Sequence, residues 1–140
     1  MKGIILLSHG PMALGLYETT KWFMDGDIPQ YEYMCLEFDD VIEEFDKKLN
    51  ALIEKVDSGD GVIIFTDLLG GTPFNRCVPL ISETIDVFTG MNLTIVLEQL
   101  TRRIADNYDF DSLLEISRQG LSHMQKPISL DNNEDDFLIE

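Results

Sequence analysis

His9 and Asp67 are the two side chains whose surroundings could support chemistry. Each ends a short apolar run. His9 lies in the break Ser8-His9-Gly10-Pro11, after Gly3-Ile4-Ile5-Leu6-Leu7. Asp67 opens the break Asp67-Leu68-Leu69-Gly70-Gly71-Thr72-Pro73-Phe74-Asn75, after Val62-Ile63-Ile64-Phe65-Thr66. A carboxylate placed there needs hydrogen-bond partners if it leaves water. Paired with imidazole, it would accept from Nδ1–H, fix the tautomer and leave the Nε2 lone pair free as a nucleophile. It would also stabilise the cationic ring that forms when Nε2 takes a phosphoryl group, through a charge-assisted bond worth about 1.5–3 kcal/mol. The plainer reading makes His9 a turn residue and Asp67 a capping one.

The second break supplies the rest of what an anion needs. Gly70 and Gly71 let a bulky anion approach the main chain, and Gly10 plays the same part on the other lip. Thr72-Pro73 reads as a helix start, with Thr72 as N-cap and Pro73 at the first helical position. The first-turn amides of that helix suit a phosphoryl group. The loop lacks the Lys and spacing of a nucleotide P-loop, and the chain has no G-x-G-x-x-G, so no nucleotide cofactor is expected. Ser8 adjoins His9 in sequence, which is poor geometry for a nucleophile–base pair and argues against a hydrolase. His9, Cys35, Cys77 and His123 have no metal-ligand spacing. His123 reads as a helix-end or surface residue. Met12, Leu68 and Leu69 read either as an apolar rim for a docking partner or as core.

The elements around these breaks follow from hydrophobic spacing. Residues 2–7 form a buried strand too short for a helix. Ala13, Leu16, Tyr17, Phe23 and Met24 suit one face of a helix over 11–24, ended by Asp25-Gly26-Asp27-Ile28-Pro29. Tyr33-Met34-Cys35-Leu36 is a second strand. Asp39 or Asp40 then caps a long helix, with Glu43 as capping-box partner to Asp40 and Ile42, Phe45, Leu49, Leu52, Ile53 and Val56 inward. Residues 62–66 are the third strand. Pro79 keeps the helix after Thr72 short or kinked. Residues 85–89 are the fourth strand. Asn92 caps a helix with Leu93, Leu97, Leu100 and Ile104 inward. A last helix from about Asp109 buries Phe110, Leu113, Leu114, Leu121 and Met124. Residues 127–130 form a further short strand. Alternation of strand and helix predicts an α/β fold, an open and mostly parallel sheet with helices on both faces. Such sheets bind ligands past the carboxyl ends of their strands, where strand order reverses. If the first and third strands are neighbours, about 4.8 Å apart, His9 and Asp67 can meet.

Composition narrows the class. The chain has 140 residues, which suits one domain, 1–130, followed by an acidic tail, 131–140. Its formal net charge of −16 argues against nucleic acid or an anionic membrane as partner. No stretch approaches the roughly eighteen apolar residues of a membrane span. No signal-peptide pattern opens it, so a cytoplasmic location is expected. Cys35 and Cys77 then read as small core residues rather than a disulfide.

Ser8-His9-Gly10 after the first strand, Asp67 to Asn75 after the third and the later Gly90-Met91-Asn92-Leu93 occur together and in order. That combination resembles the mannose-family IIA components of the bacterial sugar phosphotransferase system, over about residues 1–130. The resemblance implies that His9 takes a phosphoryl group from phosphorylated HPr and hands it to a IIB component, which serves the membrane IIC/IID permease. It matches Asp67 to the family's histidine-bonding aspartate and Thr72 to its small hydroxyl residue. It also implies a homodimer, in some members with a C-terminal strand exchanged between subunits, a role for residues 127–130. Thr94 departs from the family pattern where Pro is common, and Pro79 is unexpected. A related domain donates phosphoryl groups in the dihydroxyacetone kinase system. A regulatory binding module of the same fold is the alternative from a different class.

Overall fold

The computed structural model of the chain describes residues 1–126. Its elements, in order, are β1 (Gly3–His9), α1 (Met12–Phe23), β2 (Tyr31–Leu36), α2 (Ile42–Val56), β3 (Val62–Thr66), α3 (Thr72–Cys77), β4 (Ile85–Phe88), α4 (Leu93–Arg102) and α5 (Phe110–Gln119). Short 3-10 turns, Val78–Leu80 and Arg103–Ala105, follow α3 and α4.

The strands form one sheet in the order β2-β1-β3-β4, and every pairing is parallel. Because side chains alternate across a strand, the continuous apolar runs of β1 and β3 feed both faces at once. Ile4, Leu6, Ile63 and Phe65 pack with Ala13 of α1, Ile95, Val96 and Leu100 of α4 and Leu113 of α5. On the other face, Ile5, Leu7, Val62 and Ile64 pack with Phe45, Leu49, Ile53 and Val56 of α2 and Cys77 of α3. The α/β architecture read from the sequence is the one observed, with helices on both faces.

Several local expectations are corrected. The long helix begins at Ile42 behind Val41, without a side-chain cap. Asp40 instead turns its Oδ2 back to accept from the Glu37 N–H at 2.8 Å, and a side chain so engaged is lost to the helix. Thr72 is the first residue of α3, not its cap. Gly71 is the cap, in extended conformation and without a side-chain bond. On α4 the buried residues are Ile95, Val96, Gln99 and Leu100. Leu93 and Leu97 are only half-buried, and Ile104 is exposed on the following turn. Phe23 is also exposed. The last helix stops at Gln119, where the Gly120 N–H turns back to Ser117 O, so Leu121 and Met124 face solvent. Both cysteines are free, Cys77 buried and Cys35 half-buried. The expected strand at 127–130 and the acidic tail lie outside the described residues. No helix among the described residues is long and apolar enough to cross a membrane.

Arg103 ties down the amino ends of the first two strands. It is 2 % exposed and donates from its guanidinium to the carbonyls of Lys2 and Gln30, each at 2.9 Å, and of Pro29. Burial lowers its pKa from the usual arginine value, yet three acceptors hold the group. Arg103→Met keeps the bulk and removes the guanidinium from all three carbonyls, leaving Gln30 O only the Ile4 N–H at 3.0 Å. It is expected to lower stability by roughly 2–4 kcal/mol in urea unfolding, with the slope against urea unchanged.

Candidate phosphoryl-transfer site

Strand order places the site. The chain passes from β1 to β2 on one side, then crosses back to β3 on the other, so order reverses between β1 and β3. In open parallel sheets this is the point, past the carboxyl ends of both strands, where ligands bind. Leu7 is paired with Thr66, which leaves His9 and Asp67 just beyond the last rung of the ladder. Both α1 and α3 begin a few residues later.

Asp67 receives three N–H donors. Its Oδ2 accepts from the backbone N–H of His9 at 2.9 Å and faces the same residue's Nδ1, also at 2.9 Å. Its Oδ1 accepts from the backbone N–H of Leu68 at 2.9 Å. Burial pushes the Asp67 pKa up, but the bonds from the His9 backbone and ring and from Leu68 outweigh it, so the net shift is downward. Asp67 is thus ionised at neutral pH and can only accept. Nδ1 must then carry the proton, and Nε2 presents its lone pair. The Asp67 side chain is 12 % exposed and the His9 side chain 45 % exposed. The acid is withdrawn while the ring faces outward.

The loop after Asp67 fits around that ring. A Cβ added at Gly71 would lie 2.6 Å from His9 Cε1 and 3.3 Å from Nε2. Gly71 is therefore needed for room beside the imidazole; its backbone would suit any residue. Gly70 is required for the opposite reason: its φ is +80° and nothing crowds it. Asn75 Nδ2 donates to Gly70 O at 3.0 Å and holds the loop closed. Thr72 sits half-buried at the start of α3. On the opposite lip Gly10 has φ +55°, and its N–H donates to Leu36 O at 2.8 Å. The buried Ser8 hydroxyl donates to Gly10 O at 3.0 Å and accepts from the Ala13 N–H at 2.8 Å, tying strand, turn and helix start together. Met12, Leu68 and Leu69 are all exposed, so the core reading of these three does not hold.

Sequence reasoning missed one wall. A cleft of about 260 Å³ beside the ring is lined by His9, Gly10, Leu36, Glu37 and Phe38. The available signal was a phenylalanine set among acids directly after a strand. No group of acidic, histidine or cysteine side chains among the described residues could hold a metal ion.

Residues 3–116 match the family described as PTS system fructose IIA component, EIIA-man. The chain belongs to that family. The PTS system mannose-specific EIIAB component of Escherichia coli K12 is 28% identical over 132 residues, covering 89% of this chain; the chain spans 40% of that relative's length. The sorbose-specific EIIA component of Lacticaseibacillus casei is 26% identical over 140 residues, covering 96% of this chain and 99% of its own. Among solved structures, a PTS IIA protein associated with the fucose utilization operon of Streptococcus pneumoniae superposes with a TM-score of 0.80 at 25% identity, over 87% of this chain and 92% of that one. The mannose/sorbose-specific IIA subunit from Enterococcus faecalis has the same fold, with a TM-score of 0.74 at 23% identity, over 93% of this chain and 100% of that one. Family membership is what these comparisons show, and the chain spans less than half the length of the mannose-specific relatives it matches.

The Asp67 shift has a consequence for stability. A carboxyl whose folded pKa lies below its unfolded value stabilises the fold above the unfolded value, near 4. That contribution disappears as pH falls through the folded pKa. Asp67→Asn is therefore expected to unfold at lower urea than the parent at pH 6. The gap should close as pH is taken below 4, read as urea midpoints across the series. A gap that stayed constant with pH would remove the ionised Asp67 carboxylate from the account.

Proposed function

We propose that the protein carries a phosphoryl group on His9 Nε2, taking it from phosphorylated HPr and passing it to a IIB component. The observation that carries this reading is the ionised Asp67 against Nδ1 at 2.9 Å, with the ring otherwise turned to solvent. In the transfer step the Nε2 lone pair forms a bond to phosphorus as the donor's bond to phosphorus breaks. The electron pair of the broken bond returns to the donor. His9 keeps its Nδ1 proton and becomes cationic, and Asp67 neutralises that charge without moving. The oxygens lie beside Gly10, Gly70 and Gly71 and the Thr72 hydroxyl at the opening of α3. Passing the group onward reverses the step.

In this reading IIB serves the IIC/IID membrane permease, the protein works in the cytoplasm as a homodimer, and no residue of it meets the sugar. Met12, Leu68 and Leu69 border the site and serve as contact points for the partner proteins. Such partners meet transiently over small interfaces.

Incubation with enzyme I, HPr and phosphoenolpyruvate tests the proposal. An acid-labile label on His9, absent from His9→Ala, is the expected outcome. A chain that binds HPr but never takes label would instead be a regulatory module of the same fold. Asp67→Asn should keep the fold and slow single-turnover labelling by about 10–100-fold, the factor carried by one charge-assisted bond. Leu69→Asp should slow transfer between proteins while leaving the unfolding midpoint in place.

A further inference from the structure

Phe38 has no counterpart in the chemistry above. Its side chain is 107% exposed, yet it forms part of the cleft wall that His9 also lines. Exposure of this kind in a loose loop would mean little. Here the loop is closed on itself. Asp40 Oδ2 accepts from the Glu37 N–H at 2.8 Å, and the Asp40 N–H donates to Glu37 O at 3.2 Å. The turn is also tied to the site, because Leu36 is paired with His9 and accepts from the Gly10 N–H. Phe38 therefore stands at a held distance from the nucleophile, on a backbone already ordered before any partner arrives.

We infer that the turn Glu37-Phe38-Asp39-Asp40 is the anchor for a cationic protein partner, the one that donates the phosphoryl group to His9, with Phe38 entering an apolar socket ringed by lysine or arginine. This rests on the carrier reading of His9. Charge complementarity identifies the occupant. Glu37, Asp39 and Asp40 are exposed on either side of the ring, and none forms an ion pair among the described residues. The chain as a whole carries −16, so a second copy would meet this turn with like charge. A basic surface gains attraction at long range and buries an aromatic ring on contact. Interface cores are enriched in aromatic side chains, and complementary charge around them steers the encounter.

The test compares two phosphoryl donors on the full chain. One is phosphorylated HPr, the other phosphoramidate, a small donor with no surface to dock. In Phe38→Ala the ratio of the HPr rate to the phosphoramidate rate should fall by about 10–100-fold, the factor that burial of one phenylalanine side chain carries. The double variant Glu37→Lys, Asp39→Lys should lower the HPr rate and flatten its dependence on ionic strength. An unchanged ratio in Phe38→Ala, or a sedimentation profile showing that the variant has lost a self-association of the parent, would overturn the anchor. Failure of both donors to label the parent at His9 would overturn the carrier reading itself. The two failures are thus separate.

Discussion

One carboxylate gathers three N–H groups, and the site depends on that convergence. Asp67 takes the backbone and the ring of His9 on one oxygen and the Leu68 amide on the other. Two of those donors belong to the residue it orients, so both the main chain and the side chain of position 9 are held from a single point. Donation from three sides keeps the acid ionised despite its burial. An ionised acid cannot donate, and this fixes which ring nitrogen carries the proton. Chemistry at Nε2 follows from a hydrogen-bond count.

The fold exists around that point in a specific sense. Crossing from one side of β1 to the other puts the point where strand order reverses beside His9, at the end of β1, and Asp67, just past the end of β3. Two glycines then serve unlike ends. Gly70 takes a backbone conformation closed to most residues, while Gly71 leaves space that the imidazole occupies. Ser8, buried beneath, links the strand end, the Gly10 turn and the Ala13 amide in the first turn of α1. At the far end of the sheet Arg103 does a comparable job, gathering the carbonyls of Lys2, Pro29 and Gln30 around one guanidinium.

Much of this was legible because strands buried on both faces leave a plain record. The runs at β1 and β3 are apolar at nearly every position, and the breaks that follow them carry polar and glycine residues. The cap at Asn92 was readable too, since its side chain accepts from the Ile95 N–H three residues on. Other features depended on competition that spacing does not reveal. Asp40 had two uses for one carboxylate, and closing the turn at Glu37 won over capping α2. Apolar periodicity continued through Leu121 and Met124, but the backbone turned off at Gly120. The contact between Gly71 and the His9 ring is long-range, and nothing local to either residue announces it. Phe38 reads as apolar wherever it lies; only the fold shows it standing fully in water.

The ring of His9 can be asked directly which nitrogen is protonated. Nitrogen-15 spectra of the full chain at pH 8 distinguish a proton-bearing ring nitrogen from one with a free lone pair. The account predicts a protonated Nδ1 and a free Nε2 at His9, with that preference lost in Asp67→Asn. A proton found on Nε2 in the parent protein would contradict it.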